Sequence, residues 1–248
     1  MIYDTINFDE PVQVKAKRSD EILNFCQHNT SDIVILQATR IVRRKNIEIA
    51  VDLVKTLSSQ EFKNQLGEKV LAPNKRFDPA TNKILLVLAG YAEKRDEGYK
   101  NQLLQYAENQ GVSICCLGDL ITSGDFTLFD AYPRADLITY PSEYEGFGNQ
   151  FLEAVWANKP VALFEYPVFK TDIAPKGFDY ISLGDTVTRD ETGFCHVPET
   201  TIMNAAQKVV SLLIDSKGYQ NLVGRNFNLG KENFSFGNTL KTLTKLLT

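Results

Sequence analysis

Two glutamates frame a glycine-bearing loop in the middle of the chain. Glu145 and Glu153 are separated by seven residues in the segment EGFGNQFLEA. A carboxylate accepts hydrogen bonds bidentately from the vicinal hydroxyls of a ribose or a hexose, so this pair could hold two parts of one ligand. The alternative is two solvent-exposed glutamates, one on a loop and one on a helix surface.

The residues between the glutamates suit close contact with an anion or a sugar. Gly146 and Gly148, on either side of Phe147, allow the backbone to approach a ligand. A helix that begins near Asn149 directs its free N–H groups and the positive end of its dipole toward the same place. Phosphate or sugar oxygens are therefore the expected ligand atoms.

A basic cluster provides a second candidate site. Arg40, Arg43, Arg44 and Lys45 follow the first predicted strand and precede a helix N-terminus. In a doubly wound fold a diphosphate binds at this position, where arginine contacts phosphate bidentately and lysine supplies a point charge. Because cations oppose the dipole at a helix N-terminus, we expect a compensating anion. The alternative is a solvated basic turn.

Short β-branched runs alternate with longer amphipathic stretches along the chain. This pattern predicts βαβ units and an α/β fold, a doubly wound parallel sheet with helices on both faces and a helical C-terminus. Predicted strands cover residues 33–39, 83–90, 112–118, 136–141, 161–165 and 178–183. Predicted helices cover residues 45–57, 97–109, 126–134, 149 to before 160, and 200–248, whereas residues 58–82 read as a ragged helix end and a long loop.

Length and composition indicate one folded domain. The chain has 248 residues, 43% of them hydrophobic, and a formal charge of −4, so no overall field attracts nucleic acid. The longest apolar runs are too short for a transmembrane segment, and the N-terminus lacks a signal-peptide layout. Four cysteines, with Cys115 and Cys116 adjacent, are too few for a secreted disulfide framework, and we expect these two to pack on opposite sides of a strand. A cytoplasmic location is the simplest expectation.

Several other chemistries lack their motifs. His28 and His196 are the only histidines and show no metal-binding spacing. Neither a G-x-G-x-x-G dinucleotide fingerprint nor a P-loop is present. We therefore expect neither a bound dinucleotide nor a metal centre.

These residues together resemble a known family. The Glu145–Glu153 spacing, with Arg40 and Lys45 five residues apart after the first strand, resembles the nucleotide-sugar-binding half of retaining family 4 (group 1) glycosyltransferases. The resemblance implies the two-domain GT-B fold, of which residues 31–248 would be the C-terminal, Rossmann-like half. Residues 165–178 are similar to relatives that make glycosylated glycerates or sucrose-like compounds. One departure is Gln150, which stands where the family usually has proline.

The resemblance assigns a role to each matching position. Arg40 and Lys45 would hold the donor diphosphate, Glu145 would contact the donor sugar, and Glu153 would bind the ribose. Amides of Gly146, Phe147 and Gly148, with the helix start at Asn149, would face the sugar or the phosphates. Main-chain groups from Leu117 to Ile121 would meet the base.

The resemblance also predicts the reaction and what this chain lacks for it. It implies transfer of a hexosyl group from a UDP- or GDP-sugar with retention of configuration and without a cofactor or an obligatory metal. Acceptor groups would come from a missing N-terminal domain, with residues 1–30 as the connector, so the isolated chain is expected to be inactive. Two alternatives remain: a non-catalytic nucleotide-sugar-binding module, and a nucleotide-sugar epimerase of the same architecture.

Overall fold

The computed structural model describes residues 5–12, 16 and 18–247. Parts of the predicted connector, such as residues 1–4, and the predicted helix end at Thr248 lie outside the described residues. In chain order the described strands are β1 (Ile33–Gln37), β2 (Val70–Leu71), β3 (Lys75–Arg76), β4 (Ile84–Leu88), β5 (Ser113–Cys116), β6 (Leu137–Tyr140), β7 (Val161–Leu163), β8 (Ile181–Ser182), β9 (Thr188–Arg189) and β10 (Cys195–His196).

Helices connect and cover these strands. In chain order they are α1 (Ser19–Phe25), α2 (Ile47–Leu57), α3 (Gln60–Gly67), α4 (Glu97–Asn109), α5 (Gly118–Ser123), α6 (Asn149–Trp156), α7 (Glu199–Ile214), α8 (Ser216–Phe234) and α9 (Phe236–Leu247). Short 3₁₀ helices cover Arg43–Lys45, Lys94–Asp96, Leu128–Arg134 and Ala174–Lys176, and a π turn covers Phe169–Ile173.

The central sheet is parallel, and its strand order defines the fold. Six strands pair in the order β5-β4-β1-β6-β7-β8. The chain adds strands on one side of β1 and then crosses to add β6 on the other side. This is the doubly wound order, in which the carboxyl ends of β1 and β6 open a crevice at the point of reversal. The predicted fold class is confirmed.

Apolar residues on both faces of each strand explain the two hydrophobic layers. In β1, Ile33 and Ile35 belong to the cluster under α2, α4 and α7, whereas Val34 and Leu36 belong to the cluster under α6 and the end of α8. A parallel strand covered on both faces is a continuous apolar run for this reason.

The prediction for residues 58–82 is wrong. The structure places α3 there, followed by the antiparallel pair β2 and β3. Only Phe62 and Leu66 bury apolar side chains on α3, so the helical periodicity was too weak to read beside so many polar residues. Helix α5 was also not predicted, and the helix expected at residues 126–134 is the 3₁₀ helix Leu128–Arg134.

One disulfide forms that the sequence analysis did not predict. Cys26, which caps α1, is bonded to Cys115 in β5. Cys115 and Cys116 do face opposite layers: Cys115 lies in the cluster with Cys26, while Cys116 packs against the other cluster as a free thiol. The bond joins residues 89 positions apart and fastens α1 to the edge of the sheet.

Candidate functional site

A cavity of about 450 Å³ lies at the carboxyl ends of β1 and β6, at the point where the strand order reverses. Two of the lining segments are those singled out in the sequence: the residues that follow β1 and the loop from β6 into α6. Thr39 and Tyr140, which no sequence motif singled out, line it too, as does Gln150 within the predicted loop segment. The predicted residues that line the cavity are Arg40, Arg44, Lys45, Glu145, Gly146, Phe147, Gly148, Asn149 and Glu153.

Lys45 and Glu145 form an ion pair inside this cavity. Lys45 ends the 3₁₀ helix Arg43–Lys45, and the next residue, Asn46, is left-handed with a φ of 47°. From this position the Lys45 ammonium donates a hydrogen bond to Glu145 Oε1 in the loop between β6 and α6. Both side chains are about nine-tenths buried, at 8% and 10% exposure. Burial lowers the pKa of Lys45, and its hydrogen bond to Glu145 works in the opposite direction without cancelling the effect. A partly dehydrated cation thus stands beside the cavity.

The other basic residues diverge. Arg40 donates to Glu93 Oε1 at 2.6 Å on the cavity rim, and Arg44 donates to the Tyr144 carbonyl at 2.8 Å. Arg43 points away, with its guanidinium 5.2 Å from the ring centre of Tyr99. The expectation that all four cations gather at one ligand is therefore wrong for Arg43, because 3₁₀ geometry sends successive side chains in different directions.

The two glycines of the loop differ in the space around them. Gly148 has a φ of 135°, and a Cβ atom there would lie 2.0 Å from the Tyr166 hydroxyl. That hydroxyl donates to the Phe147 carbonyl at 2.9 Å, so it fixes the loop just before α6 begins. A Cβ atom on Gly146 would meet nothing within 4 Å. Gly148 is demanded by the fold, whereas Gly146 leaves open space beside the cavity.

Glu153 lies one turn into α6 and is held by a buried tyrosine. Tyr132, in the 3₁₀ helix Leu128–Arg134, donates from its hydroxyl to Glu153 Oε2 at 2.6 Å. Burial and the Glu153 charge raise the pKa of Tyr132, so this phenol stays a donor at neutral pH. The carboxylate is oriented before any ligand arrives.

Gln150 anchors α6 to the sheet. Its Nε2 donates to the Thr139 carbonyl at 3.1 Å, and the Thr139 hydroxyl donates to Gln37 Oε1 at 2.9 Å. This chain of buried polar groups links α6, β6 and β1 directly beneath the cavity. A family proline could not make the first of these bonds, so the departure at Gln150 was the available sequence signal.

The expected base contacts are not visible among the residues lining the cavity. Leu117 is fully buried at the end of β5, and Ile121 packs on α5 against the adjacent cluster. Neither side chain lines the cavity. The contact of their main-chain groups with a base stays a prediction.

The histidines lie outside the cavity. His196 in β10 contacts Asp52 Oδ2 at 3.2 Å and Asp190 Oδ2 at 3.1 Å, and His28 contacts Asp32 at 3.0 Å. Within residues 5–12, 16 and 18–247, no group of three or more His, Cys, Asp or Glu side chains is placed to hold a metal. None of the helices in those same ranges is both long and apolar enough to cross a membrane.

Comparison with other sequences shows what the chain is similar to. The profile of glycosyl transferases group 1 matches residues 19–227. A Thermotoga maritima protein named mannosylglucosylglycerate synthase is 42% identical over 203 residues, covering 82% of this chain and 46% of that protein. A Petrotoga mobilis protein of the same name is 43% identical over 209 residues, covering 82% of this chain and 47% of its own length. The chain spans about half the length of these curated relatives.

Solved structures share the fold at low sequence identity. Anabaena HepE in complex with UDP and glucose is 16% identical with a TM-score of 0.65, covering 99% of this chain and 56% of that chain. The C-terminal domain of a glycosyl transferase group 1 family protein from Francisella tularensis is 16% identical with a TM-score of 0.61. That match covers 93% of this chain and 99% of the other. At this identity the likeness concerns the fold alone.

Proposed function

Because the chain belongs to the glycosyl transferases group 1 family and has the Rossmann-like fold of its GT-B members, we propose that its cavity binds a nucleotide-sugar donor. One observation carries the proposal. Arg40, Lys45, Glu145 and Glu153, which come from separate parts of the chain, line a single cavity at the reversal of strand order. A solvated basic turn and two surface glutamates would have no reason to meet there.

The basic side of the cavity fits the diphosphate. Lys45 and Arg40 supply positive charge, and α6 begins at Asn149 with its N-terminus on the cavity. Burial lowers the pKa of the Lys45 ammonium because it removes stabilising water. A doubly charged anion beside the ammonium would stabilise its charged form instead. Lys45 would exchange its bond with Glu145 for one with the diphosphate.

The acidic residues fit the hydroxyls. Once released from Lys45, Glu145 can accept hydrogen bonds from the donor sugar, while Glu153, oriented by Tyr132, accepts from the ribose. Charge that develops on the leaving diphosphate would be stabilised by Lys45 and Arg40, which stand in place before the reaction. The family resemblance supports retention of configuration and transfer without an obligatory metal.

Substrates are proposed for the longer protein of which such a domain is part. Two relatives of this chain are named mannosylglucosylglycerate synthase. On that basis we propose that the longer protein transfers a mannosyl group from UDP- or GDP-mannose to glucosylglycerate. Acceptor contacts would come from a second domain across the cavity. This chain alone is then expected to bind the donor but not to complete the transfer.

Calorimetric titration with a panel of nucleotides tests donor binding. UDP or GDP should bind the unsubstituted chain, and Lys45→Ala and Glu153→Ala should each weaken binding by about tenfold while the circular dichroism spectrum is unchanged. Lys208→Ala, which removes an exposed cation on α7 that does not line the cavity, is the matched control. The proposal fails if no nucleotide binds, or if both cavity variants bind as the unsubstituted chain does.

A product assay separates transfer from the alternatives. With UDP- or GDP-mannose and glucosylglycerate, turnover should require addition of the N-terminal half of a relative. An epimerase would instead convert the donor sugar in the absence of an acceptor. A non-catalytic module would give no product, whether or not the N-terminal half is added. Efficient transfer by these 248 residues alone would contradict the incomplete-enzyme proposal.

A further inference from the structure

We propose that a second cavity, at the amino edge of the sheet, binds a compact oxyanion of the phosphate type. The cavity has a volume of about 260 Å³ and lies between the β2–β3 turn, the residues before β6, and the residues before β7. This is the edge opposite to the candidate donor site. The inference does not depend on the proposed function.

Charge is the first argument. Lys75, Arg76, Arg134 and Lys159 line the cavity, against Asp136 as the one lining carboxylate. Asp20 pairs with Arg134 from outside and offsets one of the four cations. The cavity therefore keeps an excess of positive charge in a chain whose formal charge is −4. Such concentration of one sign in a concave site attracts the opposite charge.

The positions of the two ammonium groups are the second argument. Lys75 Nζ donates to the Asp32 carbonyl and to Asp136 Oδ2, each at 2.6 Å. Lys159 Nζ donates to the carbonyls of Ala135 at 2.7 Å and Pro133 at 3.1 Å. An ammonium has three N–H donors, so each lysine keeps one donor with no protein acceptor among the described residues. Four protein acceptors thus fix two cations at the wall of the cavity.

The environment of Lys159 favours binding of an anion. Burial, helped by the charges of nearby Lys75 and Arg134, lowers the pKa of Lys159 to about 8, and Asp136 only partly opposes this shift. An anion in the cavity would relieve this positive potential and raise the pKa. A strongly perturbed pKa in a cleft is a feature that functional sites share.

Size selects the class of ligand. A volume of about 260 Å³ is small beside the sites that hold nucleotides or drug-sized molecules. Thr30 and Ser31 add hydroxyl groups to the wall, which can donate to anionic oxygens. Inorganic phosphate and a small phosphomonoester share the chemistry that these groups recognise.

Titration calorimetry at low salt, with inorganic sulfate as probe, tests the proposal. Sulfate does not change protonation near pH 8, so any proton uptake on binding belongs to the protein. Arg76→Ala should weaken binding about three- to tenfold, because it removes one of the cations that line the cavity. The fold should be unaffected, since Arg76 is exposed and makes no side-chain hydrogen bond or ion pair with a described residue. Arg95→Ala, with the same charge change on the other edge, should leave affinity unchanged.

Further arms fix the place and the source of the anion. Lys45→Ala removes any sulfate bound in the donor cavity, so the Arg76-dependent binding should persist in that variant. The affinity of this binding should fall as pH rises through about 8, where Lys159 loses its proton. Comparison of inorganic phosphate with glucose 6-phosphate shows whether the free anion or the ester binds more tightly. No saturable binding, or binding that is lost in Lys45→Ala and kept in Arg76→Ala, would overturn the proposal.

Discussion

Lys45 and Glu145, which lie 100 residues apart in the chain, neutralise each other inside the candidate donor cavity. Each is held by a different strand end, so the pair closes the crevice between β1 and β6. A diphosphate that binds Lys45 would therefore compete with the Glu145 carboxylate for the same ammonium, and its charge would be repelled by that carboxylate. This competition gives the two residues opposite effects on nucleotide affinity.

We expect Glu145→Gln to bind UDP or GDP several-fold more tightly than the unsubstituted chain, because the displaced carboxylate no longer competes or repels. Lys45→Ala should bind about tenfold more weakly. Lys45→Ala should also lower the free energy of unfolding by about 1–3 kcal/mol, because among the described residues Glu145 then keeps only the longer, 3.4 Å ion pair with Arg44. Adding Glu145→Gln should recover part of that stability but not the nucleotide affinity. Calorimetry measures the nucleotide affinities, and urea unfolding measures the changes in stability. Weaker UDP and GDP binding by Glu145→Gln would refute the competition.

Gly148 and Gly146 form a matched pair for stability. Gly148→Ala should cost about 3 kcal/mol or more, because a Cβ atom there would lie 2.0 Å from the Tyr166 hydroxyl and φ is 135°. Gly146→Ala should stay within about 1 kcal/mol, since a Cβ atom there meets nothing. Thermal and urea unfolding provide the measurement.

A second substitution separates collision from backbone strain at Gly148. In a Tyr166→Phe background the 2.0 Å contact disappears and the next atom, Cζ, lies 3.2 Å away. The cost of Gly148→Ala should then fall but not vanish, because the positive φ persists. An equal cost in both backgrounds would show that the hydroxyl is not what excludes a side chain here.

Tyr132 is expected to act through Glu153. Tyr132→Phe removes the 2.6 Å hydrogen bond to Glu153 Oε2 and should weaken UDP or GDP binding by about threefold. The 2′-deoxy and 3′-deoxy nucleotides reveal whether this passes through the ribose. If Glu153 accepts from a ribose hydroxyl, one of these analogues should lose little further affinity in Glu153→Ala, whereas additive losses for both would place the ribose elsewhere.

His196 gives the fold a pH dependence away from the cavity. Burial lowers the pKa of His196, but hydrogen bonds with Asp190 and Asp52 outweigh it and the pKa lies above 6.5. Stability from the charged imidazole is therefore complete below the unfolded pKa and is lost as pH rises through the folded pKa. The loss should stay below about 1 kcal/mol because the site is partly solvated.

Urea unfolding of the unsubstituted chain and of His196→Asn, compared from about pH 6 to pH 8, measures this loss. The difference between the two chains removes the effects of other titrating groups. The unfolding free energy of the unsubstituted chain minus that of His196→Asn should fall as pH rises. An increase would contradict the raised pKa of His196.

Much of the fold followed from the sequence because the strands are apolar on both faces. Residues 97–109 were predicted as a helix and form α4, and the buried run after Lys83 forms β4. The family predicted from EGFGNQFLEA is confirmed, as is the Rossmann-like fold. These features depend on local periodicity and on one compact motif, both of which a single sequence displays.

Other features depend on partners distant in the chain. No spacing rule relates the residues that meet in three such contacts. They are the Arg43–Tyr99 contact, the Tyr132–Glu153 hydrogen bond and the Cys26–Cys115 disulfide. The β2–β3 pair has two residues in each strand, too few for alternation to be read. That pair carries Lys75 and Arg76, so the basic cavity at the amino edge could not be seen without the structure.

A crystal structure of this chain with UDP or GDP, whichever binds more tightly, tests the central claim most directly. The account predicts diphosphate oxygens within hydrogen-bond reach of Lys45 Nζ, Glu145 released from that ammonium, and a ribose hydroxyl on Glu153. A nucleotide bound away from the crevice between β1 and β6, or one seated there with the Lys45–Glu145 pair intact, would contradict it.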